Sequence, residues 1–432
     1  MQSLEHIYSL FLKSRKLSTD SRQKCDGAIF GALQGENFNG NKFACQALEN
    51  GCSYAIIDDK KYKKDERYLL VDNVLSALQD LAKYHRSQLK IPVICITGTN
   101  GKTTTKELIN VVLRSSYEVS STKGNLNNHI GVPLTILDIP DSTEIAVIEI
   151  GANHIGEIDF LCQIAQPNFG LITNIGKAHL EGFGSVDGVK EAKGELFAFL
   201  KKNGGKVFVN SNNEILMEMS NALDSIYYGQ NDEGKCQGKI ISETPFLSIE
   251  GLLDNSGKFI INSNLTGAYN FENVLAAICI GHYFNIGAAF IKEAIEAYIP
   301  DNNRSQVIVS GNNTIILDAY NANPMNMREM VSSFSNDPAE QKMVILGDML
   351  ELGAYSEREH IALLNQVKAC GFSQVILVGE QFGKVKGLLE SKHFNTALEA
   401  GLWLEENPPK GMKILLKASR GIGLEVLLEN LK

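Results

Sequence analysis

The chain has 432 residues, of which 44% are hydrophobic, and it carries a formal net charge of −9 at pH 7. This composition is typical of a globular protein with two to four domains, and the negative charge excludes a general binder of nucleic acid or of anionic membranes. The first residues have no basic leader, and the longest apolar region, 274–291, contains His282, Tyr283 and Asn285, so we expect a cytoplasmic protein without stable membrane insertion.

Residues 1–90 predict a small α/β unit, with Pro92 as its boundary. The pattern indicates helices near 4–13, 43–50 and 74–89, and strands at 54–57 and 68–71. Ser21 and Arg22 precede a glycine-rich segment. They could bind a phosphate or carboxylate, or they could form a helix cap and a surface ion pair, and the sequence favours neither.

The stretch 93–113 predicts a phosphate-binding loop between a strand and a helix, and it reads VICITGTNGKTTTKELINVVL. Backbone N–H groups of such a loop converge at a helix N-terminus, where negative charge is stabilised. Lys102 would then meet the β- and γ-phosphates, and the Thr103 hydroxyl would bind Mg²⁺. The pattern G-x-x-x-x-G-K-[ST] is incomplete, because Ile96 stands in place of its first glycine. The alternative is a glycine-rich turn with an exposed lysine.

Residues 91–299 alternate strands with helices, which indicates a parallel sheet covered on both faces. Ligands of such sheets bind beyond the carboxyl ends of the strands. Glu149 ends the apolar strand 145–148 and is therefore a candidate Mg²⁺ ligand; the alternative is a capping or ion-paired glutamate.

Two further residues of this region are candidates for chemistry. His179 follows the predicted strand 171–174, although a lone histidine is more often structural. Lys193 falls in the middle of the apolar stripe of a predicted helix, 186–200. Burial would lower its pKa and leave a neutral amine, whereas the alternative is a lysine whose head reaches solvent.

Asn270 and Asn273 open a long predicted helix after a β-hairpin at 238–261. They lie one helical turn apart, so both could face a ligand such as an adenine edge. The alternative for Asn270 is to cap the helix.

Residues 300–432 again predict α/β structure, with polar clusters where strands stop. A hairpin at 307–317 ends at Asp318, and further strands are expected at 343–346, 375–378 and 414–416. Arg304 and Asp318 could contact the ribose or phosphates of a nucleotide, with Asp318 the better ribose partner.

The eight cysteines are scattered along the chain without any C-x-x-C pair. Reduced and mostly structural thiols are the simplest interpretation, in keeping with a cytoplasmic location.

Together, these segments resemble the Mur ligases of peptidoglycan synthesis over nearly the whole chain. The motifs, in order, are TGTNGKTTTKE, IEIGANHIGEI, TNIGKAHLEGFGS, EAKGELF, LTGAYNFENVLAA, DAYNANPMNM, LGDMLELG and LKASRG. YNANP and LGDMLELG are similar to the branch of the family that adds D-alanyl-D-alanine, and the D-N-P-R motif of the diaminopimelate-adding branch is absent.

The resemblance implies an α/β fold of three domains. These are a small N-terminal α/β domain that binds the UDP-sugar substrate (1–90), a central ATP-binding domain with a P-loop-type parallel sheet (91–299), and a C-terminal Rossmann-like α/β domain (300–432). It also implies ATP and two Mg²⁺ ions as cofactors, with UDP-N-acetylmuramoyl-tripeptide and D-alanyl-D-alanine as partners of a monomeric enzyme.

The resemblance further assigns roles to matching residues. The ATP site would comprise Gly98, Thr99, Asn100, Gly101, Lys102, Thr103, Thr104, Asn273, Arg304 and Asp318. Thr103 and Glu149 would hold one Mg²⁺, while His179 and Lys193, the latter as an N-carbamate, would belong to the second metal site. The substrate contacts would comprise Ser21, Arg22, Asn125, Asn127, Asn128, His129, Tyr320, Asn321 and Asn323. Lys102, Glu149, His179 and Lys193 would form the catalytic centre.

The reaction expected from this resemblance is amide formation through an acyl phosphate, with ADP and phosphate as products. Domain closure is expected, because water would hydrolyse that intermediate. The alternatives are another ligase of the same architecture, either the amino-acid-adding Mur branch or a folylpolyglutamate synthetase, and a P-loop NTPase that acts as a conformational switch. The sequence leaves open whether the third residue of the tripeptide is lysine or diaminopimelate.

Overall fold

The computed structural model describes residues 2–176, 180–230, 236–254 and 257–431. It has the mixed α/β architecture that the sequence predicts, built in these ranges on three main sheets that follow one another along the chain. In these described ranges, no helix is both long and apolar enough to cross a lipid bilayer.

The first sheet is small and parallel. In chain order its region contains α1 (Leu4–Ser14), β1 (Leu17–Ser18), β2 (Ile29–Gly31), β3 (Gln34–Gly35), β4 (Phe38–Asn39), α2 (Ala44–Glu49), β5 (Tyr54–Ile57), β6 (Tyr68–Leu70) and α3 (Val74–Gln88). Strands β1, β2, β5 and β6 pair in that order, whereas β3 and β4 form a separate antiparallel pair. The Asn73 side chain caps α3 by accepting a hydrogen bond from the Ser76 N–H, so the helix begins where the sequence predicts.

One cysteine pair in this region differs from the prediction. Cys25 and Cys52 form a disulfide between the turn before β2 and the turn after α2, so the expectation that all eight thiols are reduced is wrong for these two. The pairing could not be predicted because the two residues are 27 positions apart and only the fold brings their Cα atoms to 5.2 Å. Cys45, Cys95, Cys162, Cys279 and Cys370 carry free thiols.

Arg86 joins the first region to the central sheet. Its guanidinium group is buried and donates hydrogen bonds to the carbonyl oxygens of Ala165 (2.8 Å), Gln166 (2.9 Å) and Leu89 (2.8 Å). Another bond reaches the Asn168 side chain at 3.1 Å. These contacts fix α3 against the end of the helix Glu157–Ala165 of the central region.

We therefore expect Arg86→Met to destabilise the protein. Methionine fills most of the volume but leaves buried carbonyl oxygens without donors, at a cost of about 2–4 kcal/mol. Thermal unfolding should show a midpoint several degrees lower. Arg67→Met is the matched control, because Arg67 is exposed and forms a surface ion pair with Asp65, and it should leave the midpoint unchanged. Equal midpoints for both variants would contradict this role of Arg86.

The central sheet has nine strands in the order β15-β14-β13-β12-β11-β10-β7-β9-β8. They are β7 (Val93–Thr97), β8 (Val119–Ser121), β9 (Ile145–Glu149), β10 (Phe169–Ile172), β11 (Lys206–Asn210), β12 (Asp224–Gly229), β13 (Cys236–Ser242), β14 (Ser248–Leu253) and β15 (Gly257–Asn262). The helices are α4 (Lys102–Arg114), α5 (Gly131–Leu137), α6 (Glu157–Ala165), α7 (Leu180–Phe183), α8 (Val186–Asn203), α9 (Glu214–Met219), α10 (Phe271–Tyr283) and α11 (Ala288–Ala297).

Helices cover both faces of this sheet. Alternate residues of β7 point to opposite sides: Val93 and Cys95 belong to one apolar core, and Ile94 and Ile96 to another. The first core continues into the N-terminal sheet, so these two sheets share buried apolar surface.

The predicted hairpin at 238–261 is wrong in extent. The structure has three strands there: β13 pairs antiparallel with β14, and β14 pairs antiparallel with β15. Strand β13 also pairs parallel with β12, so the three strands extend the central sheet.

The third sheet has the order β16-β17-β21-β18-β19-β20 and is parallel except for the β16–β17 hairpin. Its strands are β16 (Gln306–Ser310), β17 (Asn313–Asp318), β18 (Lys342–Gly347), β19 (Gln374–Val378), β20 (Lys392–Phe394) and β21 (Lys413–Lys417), and its helices are α12 (Pro324–Ser335), α13 (Ser356–Cys370), α14 (Glu380–Val385) and α15 (Ala397–Glu406). A 3-10 helix at Leu424–Leu431 packs against α15.

Candidate functional site

The predicted phosphate loop is present as strand, turn and helix. Strand β7 ends at Thr97 and α4 begins at Lys102. Gly98 and Gly101 have φ angles of 143° and 78°, which favour glycine. A Cβ atom at Gly98 would lie 2.0 Å from the Thr173 hydroxyl, so the turn depends on this glycine for space as well.

Lys102 folds back over its own loop. Its Nζ donates hydrogen bonds to the carbonyl oxygens of Gly98 (2.7 Å) and Thr99 (3.2 Å). Burial lowers the pKa of Lys102, and Arg304 acts in the same direction while Glu149 opposes it. The side chain is half-buried, so the alternative of an exposed lysine is wrong.

Thr103 and Glu149 meet at the carboxyl ends of two neighbouring strands. Strand β9 lies next to β7, and Glu149 is its last residue, so the carboxylate reaches the start of α4. The Thr103 hydroxyl donates to Glu149 Oε2 at 2.9 Å, and Asn127 Nδ2 donates to Glu149 Oε1 at 2.7 Å. Glu149 is buried at this junction and faces the loop instead of capping a helix.

These residues lie on the wall of a cavity of 1340 Å³ that extends from the central sheet to the third sheet. The predicted site residues on its wall are Thr99, Asn100, Gly101, Lys102, Thr103, Thr104, Asn125, Asn127, Asn128, His129, Glu149, Asn273, Arg304, Asp318, Tyr320 and Asn321. One space therefore joins most of the predicted nucleotide residues to most of the predicted substrate residues.

The third sheet contributes charged and aromatic groups to this wall. The Arg304 guanidinium lies 4.0 Å from the centre of the Tyr320 ring, and that of Arg420 lies 5.4 Å from the same centre. Asp318 Oδ2 accepts a hydrogen bond of 2.6 Å from the buried Lys417. These contacts hold Tyr320 and Asp318 in fixed positions at the cavity.

Asn273 and Asn270 contact each other beside the phosphate loop. Asn273 Oδ1 accepts a bond from the Thr105 hydroxyl at 2.9 Å, and Asn273 Nδ2 donates to Asn270 Oδ1 at 2.9 Å. Asn270 Nδ2 donates to the Thr266 carbonyl, so the alternative of a side-chain cap is wrong for Asn270. The pair fixes the start of α10 against α4.

Lys193 is buried, with 2% of its surface exposed, and the alternative of a solvent-reaching head is wrong. Its Nζ donates to the Ala152 carbonyl at 3.3 Å and lies 5.2 Å from the centre of the Phe183 ring. Burial lowers its pKa to about 7, and the charge of Lys102 acts in the same direction. Ala152 itself lines the cavity, so the amine lies directly behind the wall.

Several predicted residues lie elsewhere. His179 is outside the described residues. Arg22 is exposed and pairs with Asp20 through Nε at 2.8 Å, which is the surface ion pair that the sequence left open. Ser21 is buried, and its carbonyl accepts a bond from Asn50. Neither Ser21 nor Arg22 lines the cavity, and the same is true of Gly98, Lys193 and Asn323.

Sequence reasoning missed two residues that hold the site in place. Asn174 Oδ1 accepts a bond of 3.0 Å from the Asn100 N–H, and Lys417 pairs with Asp318. Asn174 follows a buried strand in the motif TNIGK, and Lys417 ends one in the motif LKASRG. A polar residue at the carboxyl end of a buried strand was the signal that could have identified both. Glutamates of the cavity wall, among them Glu272 and Glu329, were also missed: burial raises the pKa of Glu329 to about 6, and Glu272 adds to that shift.

Potential metal ligands are sparse. Within the described part of the chain, no three His, Cys, Asp or Glu side chains come together as a metal-binding group. Thr103 Oγ1 and Glu149 Oε2, both hard oxygen donors, are 2.9 Å apart. Neighbouring ligands of an octahedral Mg²⁺ at roughly 2.1 Å are about 3 Å apart, so this pair fits one such ion.

The fold and the site define an α/β protein with a phosphate-binding loop that faces a second α/β sheet across a shared cavity. Family models agree with this class: residues 96–281 match the Mur ligase middle domain, and residues 303–402 match the Mur ligase glutamate ligase domain. The chain belongs to the Mur ligase family.

Within the family, the chain is similar to the UDP-N-acetylmuramoyl-tripeptide--D-alanyl-D-alanine ligase of Bacillus subtilis (strain 168), with 35% identity, covering 96% of this chain and 92% of the relative. It is similar in structure to MurF from Acinetobacter baumannii, with a TM-score of 0.86, 31% identity and coverage of 96% and 93%. MurF of Thermotoga maritima in complex with ADP gives a TM-score of 0.84 at 26% identity, with coverage of 100% and 98%.

Proposed function

We propose that this protein is an ATP-dependent ligase that joins D-alanyl-D-alanine to the terminal carboxylate of UDP-N-acetylmuramoyl-tripeptide in the synthesis of peptidoglycan precursors. The observation that carries the proposal is the single cavity in which the Thr103–Glu149 pair of the phosphate loop faces Arg304 and Tyr320 of the third sheet. The names of the relatives support the choice of substrates.

ATP binds with its phosphates on residues 98–104, where the N–H groups at the start of α4 and Lys102 provide positive charge. Asn273, Arg304 and Asp318 contact the rest of the nucleotide, because all three line the same cavity. The relative from Thermotoga maritima, which was solved with ADP, supports this use of the site.

Thr103 and Glu149 would hold one Mg²⁺ ion, as their spacing allows, and His179 with a carbamate on Lys193 would hold a second. Such ions would supply positive charge against the transferred phosphoryl group. The lowered pKa of Lys193 supports this assignment, because a neutral amine is the form that can react with carbon dioxide.

The reaction has two steps. The tripeptide carboxylate attacks the γ-phosphorus of ATP, which gives an acyl phosphate and ADP; the amine of the dipeptide then attacks the acyl carbon, loses a proton and expels phosphate. Lys102 stabilises the charge on the transferred group. Closure of the cavity between the sheets keeps water away from the acyl phosphate.

The substrate contacts follow the walls of the cavity. Asn125, Asn127, Asn128 and His129 reach the peptide end of the UDP-linked substrate, and Tyr320 and Asn321 hold the incoming dipeptide. Ser21 and Arg22 lie in the N-terminal unit that binds the UDP-sugar. The proposed domains are 1–90, 91–299 and 300–432. The enzyme is cytoplasmic and acts as a monomer. Light scattering of the purified protein would test the monomeric state.

The test is product formation from a matrix of precursors and amines. We expect ATP turnover only when a UDP-muramoyl-tripeptide and D-alanyl-D-alanine are both present, with a product mass equal to their sum minus one water. Oxygen-18 in the tripeptide carboxylate should appear in the released phosphate. Hydrolysis of ATP without either substrate would indicate a switch NTPase instead, and a product from the shorter precursor and a single amino acid would indicate a different Mur branch.

A further inference from the structure

The start of helix α12, in the region of the third sheet, contacts the phosphate loop at Asn100. Asn323 Nδ2 donates a hydrogen bond of 2.6 Å to Asn100 Oδ1, and Asn326 Nδ2 donates to the same oxygen at 3.3 Å. The residues are more than 220 positions apart in sequence. These bonds therefore connect the two halves of the cavity at the point where phosphates are proposed to bind.

The direction of these bonds is fixed by the helix that carries the two donors. Asn323 caps α12: its Oδ1 accepts from the N–H groups of Met325 and Asn326. Asn326 completes the capping box, because its Oδ1 accepts from the Asn323 N–H at 2.9 Å. Since the helix uses both amide oxygens, the amino groups are the ends that face Asn100.

The backbone of Asn100 is also held firmly. Its N–H donates to Asn174 Oδ1, and its carbonyl accepts from the Thr173 hydroxyl at 2.5 Å. The side-chain amide is what remains adjustable. Its oxygen receives the two bonds from α12, whereas its Nδ2 is buried without a hydrogen-bond partner among the described residues. Asn100 lines the cavity, where an acceptor of this donor could bind.

We propose that Asn100 couples nucleotide binding to the docking of the third sheet; this inference rests on the function proposed above. An amide has a donor end and an acceptor end, so a phosphate oxygen bound to Nδ2 holds Oδ1 towards α12. Conversely, Asn323 and Asn326 hold Nδ2 towards the phosphate. The coupling is reciprocal by thermodynamic necessity, and Asn323 and Asn326 are positioning residues in it.

Asn323→Ser tests the proposal without removing the helix cap. Serine caps as well as asparagine but is too short to reach Asn100, and it adds no charge. The control is Asn73→Ser, the same change at the cap of α3, which does not line the cavity. Thermal unfolding should give closely similar midpoints for both variants.

The decisive measurement is calorimetric titration of the full-length protein with a non-hydrolysable ATP analogue and Mg²⁺. We expect Kd to rise about fivefold in Asn323→Ser and in Asn100→Ala, the loss of roughly one hydrogen bond, and to stay unchanged in Asn73→Ser. The double variant Asn100→Ala/Asn323→Ser should bind no more weakly than Asn100→Ala alone, because both changes remove the same coupling.

Two outcomes would overturn the coupling. One is an unchanged Kd in Asn323→Ser, and the other is a double variant whose Kd rises by the product of the two single increases. Both presuppose that the unmodified protein binds the analogue. If it does not bind at all, the proposed function itself fails, and the two failures are thereby distinguished.

Discussion

Lys102→Met should lower kcat about 10³-fold while the protein remains folded, which corresponds to roughly 4 kcal/mol of transition-state stabilisation. The Lys102 Nζ bonds to the carbonyl oxygens of Gly98 and Thr99, so its charge is held at the loop where the phosphoryl group would transfer. Methionine preserves the length and the apolar stem but removes the charge. Steady-state kinetics with saturating substrates would measure the effect.

Lys61→Met is the matched control, because Lys61 is exposed and its contacts are local, with Asp59 at 2.7 Å and with the Tyr62 ring. It should have the kcat of the unmodified protein. If Lys102→Met retained more than about a tenth of the activity, Lys102 would not serve as an electrostatic catalyst, since a positioned charge is worth more than that.

The sequence predicted the phosphate loop closely, because its signals are local. Strand, loop and helix were predicted over 93–113, and the structure has β7 (Val93–Thr97) followed by α4 from Lys102. Glu149 was found by the same kind of local signal, a carboxylate that ends a buried strand. Helical spacing placed Lys193 in the apolar stripe of α8 but left open whether its head reaches solvent, and the structure shows that it is buried.

What the sequence could not provide were contacts between distant parts of the chain. No local pattern indicates that Asn323 contacts Asn100, or that the Lys417 ammonium neutralises Asp318. Tertiary pairing also decides the short strands β8 and β20, which were not predicted. Each has only three residues, too few for a period to be recognised.

Lys193 illustrates both what local sequence signals can predict and what they cannot. The spacing of α8 placed it in the apolar stripe but could not identify its partner, because Ala152 lies on the loop after β9. That loop carries Ala152 and Gly156 on the cavity wall, and Glu195 of α8 holds it by accepting bonds from the N–H groups of Gly156 and Asp159. Helix α8 therefore supports the segment that follows Glu149.

We expect Lys193→Ala to reduce kcat about 10³-fold, because the second metal site would lose its carbamate oxygen ligand. Short carboxylates such as formate or acetate should restore part of the activity, since they supply the missing oxygens in the space that alanine leaves. The control is Lys190→Ala on the same helix: Lys190 pairs with Glu218 at the surface, and its loss should leave kcat unchanged. Full activity of Lys193→Ala with and without carboxylates would exclude the carbamate.

The buried amine of Lys193 also predicts how the stability of the protein depends on pH. The pKa of Lys193 is lowered to about 7 from an ordinary 10.5, so in carbon-dioxide-free buffer the folded protein releases this proton near pH 7 whereas the unfolded chain keeps it. The free energy of unfolding should therefore increase as pH rises from about 7 to 10.5. Below pH 7 Lys193 is protonated in both states, and its buried ammonium destabilises the folded state to the full extent. Lys193→Ala should lack this contribution in denaturant titrations.

With added ¹³C-bicarbonate above pH 7, the unmodified protein and Lys190→Ala should show a carbamate NMR signal that Lys193→Ala lacks. The same signal in all three would place the modification on another amine.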